Sequence, residues 1–254
     1  MDQVQPEDEG QQAGTGARSG AGRTERPADL FSVEGLPAAD APAVLCRACV
    51  ELLDVTGASI SLYGGDTGAL WWSSDPVAGR LAETQYTLGD GPCQAASRAA
   101  TPVLAADLTK GPDARRWPVF AQQAVELGVR AVFSLPLGAG GLAIGTLDLY
   151  RDRPGPLSEQ DQAFVFPVSE AITRTLLSPP DAQGGRNAPF TAAWLDGAEN
   201  DHEEVHQATG MIMVHLGVAP EHALARLRAH AFAHAQSVTE AARDVIAGRV
   251  RFHE

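Results

Sequence analysis

Cys46 and Cys49 form a CxxC in "AVLCRACVELL", and Cys93 stands in "DGPCQ". Thiols at the first spacing hold metal or exchange a disulfide when a third partner meets them. Cys93, read at a helix N-terminus, is expected to have a lowered pKa. The CxxC instead lies on a helical pattern that buries both sulfurs on one face, which reads as inert core thiols. The chain has seven histidines, all between His202 and His253. His202/His206 and His230/His234 are i, i+4 pairs with chelating spacing. No glutamate or cysteine is arranged as a third ligand, so they read as surface histidines with weak pH sensitivity, and no metal is expected. Arg226, Arg228 and Arg243 lie on helical stretches. At about 100° per residue, Arg226 falls far from the apolar stripe, Arg228 and His230 flank it, and Arg243 faces outward. Guanidinium forks suit phosphates and base edges. Four or five such groups suit an RNA loop better than the length of a duplex. From spacing alone, a solvated helix face is the preferred reading. Phe232, about 120° from the stripe, is a base-stacking ring or, preferably, a domain or dimer contact. Trp72, Cys93 and Trp117 are the candidates for lining a ligand pocket. Trp71 and Trp72, adjacent in a strand, point to opposite faces, so one of them at most takes part. No catalytic residue is assigned.

These groups need elements to hold them. The chain has 254 residues and a net charge of -13, with Lys110 alone among 19 basic residues that are otherwise arginine. That arginine bias fits a GC-rich coding sequence. The acidity excludes indiscriminate binding to nucleic acid or anionic membrane, and no segment is basic overall. The start, "MDQVQPEDEG", has no apolar core of a signal peptide. "AVFSLPLGAGGLAIGTLDLY" is broken by Pro136 and glycines and reads as a hairpin, not a membrane span. Three cysteines make no disulfide framework. The expectation is a soluble cytoplasmic chain with no membrane partner.

Residues 1–29 have almost no large apolar side chains and are expected to be disordered. From 30 to 178 helices and strands alternate. "APAVLCRACVELLDVTG" carries a helical stripe ending at Gly57. "ASISLYGG" and "GALWWSSD" are paired strands, "GPCQAASRAA" a short helix, "PVLAAD" a strand and "WPVFAQQAVELG" a helix. "VRAVFSLPL" and "LAIGTLDLY" are strands around "GAGG". A long helix then starts at Ser158, and Pro167 is expected to kink or split it. Residues 179–195 read as a linker, and 196–254 as three helices over about 201–216, 220–235 and from a Ser237–Glu240 capping box onward. Val205, Ala208 and Ile212, then Ala223, Leu224, Leu227 and Ala231, then Val238, Ala241, Ala242 and Val245 point inward. So small a core barely exceeds its ordering entropy. The bundle therefore needs a neighbour: the first domain, a preceding helix through Trp194 and Leu195, or a second copy.

The ordered motifs "LGDGPCQAA", "VLAADL", "WPVFAQQAVELGVRAVFSLPL", "GLAIGTLDLY" and "LSEQDQ" resemble a GAF domain over about 38–178. "ATGMIM", "EHALARLRAHA" and "VTEAARDVI" resemble an ANTAR domain, an RNA-binding transcription antitermination module. The resemblance implies an α+β fold: a central antiparallel sheet with flanking helices, then a three-helix bundle. It implies a signal-responsive, non-enzymatic antiterminator, a homodimer, that binds structured leader RNA through Thr209, Arg226, Arg228, His230 and Arg243. Many ANTAR domains have Lys where this chain has Thr209, which puts one phosphate contact in doubt. No cofactor or GAF ligand is named by the sequence. GAF proteins that reduce free methionine sulfoxide look similar around Cys93 but use further cysteines downstream, and none follows here. The alternative is a redox-linked protein using Cys46, Cys49 and Cys93, with the tail serving dimerisation only. DNA binding is disfavoured by the acidic "DGAENDHEE".

Overall fold

A computed structural model describes residues 41–64, 67–177 and 190–253. The expected disordered tail 1–29 and residues 179–189 of the expected linker lie outside the described residues.

The first unit opens with α1 (Ala41–Leu52), then β1 (Gly57–Gly64) and β2 (Thr67–Ser73). Next comes α2 (Pro76–Leu88), which the sequence reading missed. Its start is well specified: the Asp75 carboxylate accepts from the Val77 and Ala78 amides at 2.8 and 3.0 Å, and Pro76 supplies the first helical residue. It ends at Gly89, whose φ of 63° lies in the left-handed region that glycine enters without a Cβ penalty. There follow α3 (Pro92–Ala99), β3 (Val103–Ala105), α4 (Gly111–Arg116), α5 (Pro118–Glu126), β4 (Ala131–Ala139), β5 (Leu142–Arg151) and α6 (Glu159–Leu177). Pro167 lies inside α6, which remains one continuous helix and is not split. Its packing explains this: Val165, Val168, Ile172 and Leu176 are all buried on the sheet side, and Pro167 faces solvent.

The five strands form one antiparallel sheet in the order β2-β1-β5-β4-β3. Its two faces differ sharply. Ile60, Leu62, Phe133, Leu135, Leu147 and Leu149 join Leu45, Cys46 and Cys49 of α1 and the buried row of α6 in one apolar cluster. Side chains alternate across the pleat, so Ser59, Ser61, Ser134, Thr146 and Asp148 face the other way, toward α2 and α3, and are buried there. A second apolar cluster, including Leu81, Trp117, Phe120, Val132 and Tyr150, flanks this polar centre. The β1–β5 approach depends on Gly145, where a Cβ would stand 2.4 Å from the Ser61 carbonyl oxygen.

The tail forms α7 (Phe190–Leu216), α8 (Pro220–Ala233) and α9 (Val238–Ile246). The helix expected from about 201 begins at Phe190, so the last residues of the expected linker are already helical. All the expected inward positions are buried, from Val205 to Val245. The Ser237–Glu240 capping box is formed in both directions. The tail's buried cluster also contains Tyr86, from α2 of the first unit. Of the three neighbours the small bundle could use, the first domain supplies this one. Among the described residues no helix is long and apolar enough to cross a membrane.

Candidate nucleic-acid interface and the domain seam

Helix α8 carries the candidate side chains in two rows. Glu221, Leu224, Arg228 and Phe232 recur at three- or four-residue spacing and share one side. Arg226 and His230, four apart, share another, about 200° from Arg228.

The first row faces the GAF-like unit. Arg228 places its guanidinium carbon 5.3 Å from the Tyr86 ring centroid. A Cβ on Gly89 would stand 2.8 Å from Arg228 Nη1, so the bare backbone at the end of α2 leaves room for this arginine. Glu221, Leu224 and Arg228 face Tyr63, Gln94, Ser97 and Arg98 across a cleft of about 230 Å3. Phe232, 49% exposed, borders a second cleft of about 410 Å3 against Thr84, Thr87 and Gln123. The Thr87 hydroxyl accepts the Val238 amide of α9 at 3.2 Å. Phe232 therefore lies half exposed on the side of α8 that faces the first unit across this cleft.

The second row faces away. Arg226 is exposed. His230 stacks on His234 with centroids 4.0 Å apart and meets the edge of Phe252 at 5.5 Å. Burial and the His234 charge lower the pKa of His230, against an upward pull from Asp244. His234 Nδ1 lies 2.8 Å from the His230 carbonyl oxygen, so this pair forms a ring stack tied to the backbone. No group of three metal-ligating side chains occurs among the described residues. Arg243, on α9, donates Nε to Glu204 of α7 at 2.8 Å and is 55% exposed. The Thr209 hydroxyl donates to the Val205 carbonyl at 2.7 Å, within its own helix. The five expected RNA contacts thus do not form one open face. Arg226 and His230 share a side, Arg243 lies beside Glu204, and Arg228 turns into the seam.

The three pocket candidates do not converge. Trp72 pairs with Ile60 in the register and packs with it on the apolar face of the sheet. Trp117 is 3% exposed and sits inside the second apolar cluster, with Arg116 4.6 Å above its ring. The Trp71 side chain lies outside the described ones. Cys93 alone faces the polar centre. Gln85 Oε1 accepts its amide at 2.8 Å. Beside it the Tyr63 hydroxyl lies 3.3 Å from Thr146 Oγ1, Thr146 donates to Asp148 at 2.8 Å, and Ser134 donates to the other Asp148 oxygen. Burial pushes the Asp148 pKa up to about 6, against the two hydroxyls that favour its charge. Burial and Asp148 also push the Cys93 thiol well above its usual range, the opposite of the lowering expected at a helix N-terminus. Cys49 is raised by burial to about 12, and Cys46 is raised by burial and by Cys49. These buried, neutral thiols are poor nucleophiles, and the CxxC lies on the opposite face of the sheet from Cys93. The redox alternative lacks the cluster it needs.

The sequence reading missed the Ser134–Asp148–Thr146 group. The signal was present, since Ser134 and Asp148 each stand between apolar strand residues, but such alternation ordinarily marks a solvent-facing side.

A GAF domain family model matches residues 38–176. The chain belongs to the GAF domain family. An ANTAR domain model matches residues 195–246, directly behind it. This is the pairing of an RNA-binding regulator with a sensory first domain. Comparison with curated proteins gives no match. Similar solved structures cover the first domain. One is a domain of a putative two-component sensor histidine kinase protein from Sinorhizobium meliloti 1021, 18% identical, covering 53% of this chain and 87% of that one, with a TM-score of 0.43. Another is the GAF domain of an Acinetobacter phosphoenolpyruvate-protein phosphotransferase, 13% identical, covering 58% and 86%, TM-score 0.43. A third is the free methionine-R-sulfoxide reductase of Neisseria meningitidis, 17% identical, covering 58% and 84%, TM-score 0.44.

Proposed function

We propose that this chain is a cytoplasmic, signal-responsive transcription antiterminator whose ANTAR domain binds structured leader RNA and favours the antiterminator hairpin. The ANTAR match to 195–246 carries this reading. The side chains support it. Arg226 and Arg243 are exposed and off the buried stripes of α8 and α9, with His230 on the Arg226 side and Thr209 on α7 at the edge. A chain of net charge -13 has no diffuse attraction for RNA, so each of these cations matters individually. We place the domain limits at 30–178 and 196–254. We further propose a symmetric homodimer through the GAF helices, where Val44, Leu52 and Leu177 leave apolar side chains exposed on α1 and α6. The chain is not an enzyme in this reading. The first domain answers a ligand or signal through the side of the sheet that holds Asp148.

The test is selection of stem–loop RNAs with randomised loops against the full chain, followed by gel shifts with Arg226→Ala and Arg243→Ala. Each loss is expected to weaken binding about 5- to 150-fold, the size of one charge-assisted contact. Thermal melts should show both variants folded. A folded double variant that binds as well as the parent would overturn the face. A parent that selects no RNA would overturn the function. Sedimentation at several concentrations tests the dimer, which a concentration-independent monomer would refute.

A further inference from the structure

We infer that RNA and the GAF domain compete for the Arg228 row of α8, so that the docked arrangement holds the ANTAR domain back from RNA until the seam opens. This rests on the RNA reading above. Arg228 belongs to the set of cations that would meet RNA, yet its guanidinium lies over Tyr86 and against Gly89. With one face toward that ring, Nη1 against Gly89 and Nε buried in the seam, the guanidinium is covered from an RNA while the helix is docked. The same seam holds an end of α9. Ser237 caps the Glu240 amide and Glu240 caps Ser237, but the Val238 amide is taken by Thr87 of the other domain. An RNA approaching Arg228 must therefore displace contacts on two ANTAR helices.

The seam is built to be reversible. Among the described residues Tyr86 is the GAF residue inside the buried ANTAR cluster, and clefts of about 410 and 230 Å3 run along the join. A join with that much open volume lacks the dense packing of a fixed domain core. Undocked, Arg228 and the Val238 amide are both hydrated, so opening strands no buried donor. The apparent affinity for RNA is the intrinsic affinity scaled by the open fraction, and anything that weakens the seam from the GAF side raises it. The smaller cleft also reaches Tyr63, whose hydroxyl leads through Thr146 to Asp148. A change at the polar side of the sheet is thus one residue from the docked helix.

The experiment uses the full chain and GAF-side substitutions that replace no proposed RNA contact. Thr87→Val removes the acceptor for the Val238 amide at nearly constant volume, and Tyr86→Ala removes the ring under Arg228. Affinity for a selected stem–loop RNA is read beside hydrogen exchange at the Val238 amide. Thr87→Val is expected to tighten binding about 3- to 10-fold, and the double variant more than about 10-fold. By reciprocity, adding RNA to the parent should speed exchange at Val238. Equal affinity in parent and double variant, with Val238 deprotected in the variant, would overturn the competition while leaving the RNA reading intact. Weaker binding by folded Thr87→Val would also overturn it, since the seam would then assist RNA. No binding by the parent or either variant would remove the RNA reading, and the competition with it.

Discussion

The two faces of the sheet are made from the same strands and answer to different demands. Toward α1 and α6 the strand centres are apolar, from Ile60 through Leu135 to Leu149, with Arg151 at the end of β5 held over the Phe133 ring and bonded to Asp161. Toward α2 and α3 the centre is hydroxyls and a carboxylate, buried as deeply and held by one another. An apolar face gains from any well-packed hydrocarbon. A buried carboxyl costs several kcal/mol in general unless neutralised or hydrogen-bonded. The polar face therefore carries a group that responds to its surroundings, and it is the face next to the seam. The apolar one serves as the fixed wall.

The largest effect comes from a hole in the apolar wall. Leu135→Ala, at a fully buried position on the apolar face, should cost about 2–5 kcal/mol in a thermal or urea melt. A loss under about 1 kcal/mol would mean that this face is loosely packed.

Asp148 gives the next largest effect and sets the faces apart by pH. Its folded pKa of about 6 stands above the ordinary 3.8. The folded state therefore binds the proton more tightly than the unfolded chain. The stability this confers is complete below about pH 3.8 and is lost as pH rises through about 6. Asp148→Asn has no such titration. From pH 8 down to pH 4 the parent should gain about 2.4 kcal/mol on the variant. A stability difference that is flat with pH would show that the carboxyl is not buried in solution.

The smallest effects come from one atom swap made on both faces. Cys49→Ser puts a hydroxyl among Leu45, Leu147 and other apolar side chains and should cost about 1–3 kcal/mol. Cys93→Ser puts the same hydroxyl where Tyr63 and Gln94 already bond the sulfur, and should cost under about 1 kcal/mol. Equal costs would erase the distinction between the faces.

The elements legible in the sequence were those with uninterrupted local signals. The Ser237–Glu240 box, the alanine-rich stripes of α8 and α9, and the period-two strands all specify themselves within a few residues. Helix α2 was equally well marked by Asp75, Pro76 and Gly89. It was missed because its buried row of Leu81, Ala82, Gln85 and Tyr86 includes a glutamine and a tyrosine and so breaks the apolar stripe. The site was less legible. Helical angles put Arg226, Arg228 and Arg243 off the stripes, but an angle does not say what fills the space beyond. For Arg228 that is Tyr86, more than half the chain away. The Thr87–Val238 hydrogen bond joins residues 151 positions apart, and nothing in either local sequence announces it. Pro167 does not split α6, where the buried row packs on the sheet and the proline stays exposed.

The three cysteines make the molecule its own chemical clock. All are buried, free and confined to the GAF domain, and the sequence has no others. A thiol reagent meets Cys46 and Cys49 only when α1 leaves the sheet, and Cys93 only when the α3 side opens next to the docked bundle. The rates at which the two groups are labelled therefore time two separate openings in the unmodified chain, without a dye or a tag.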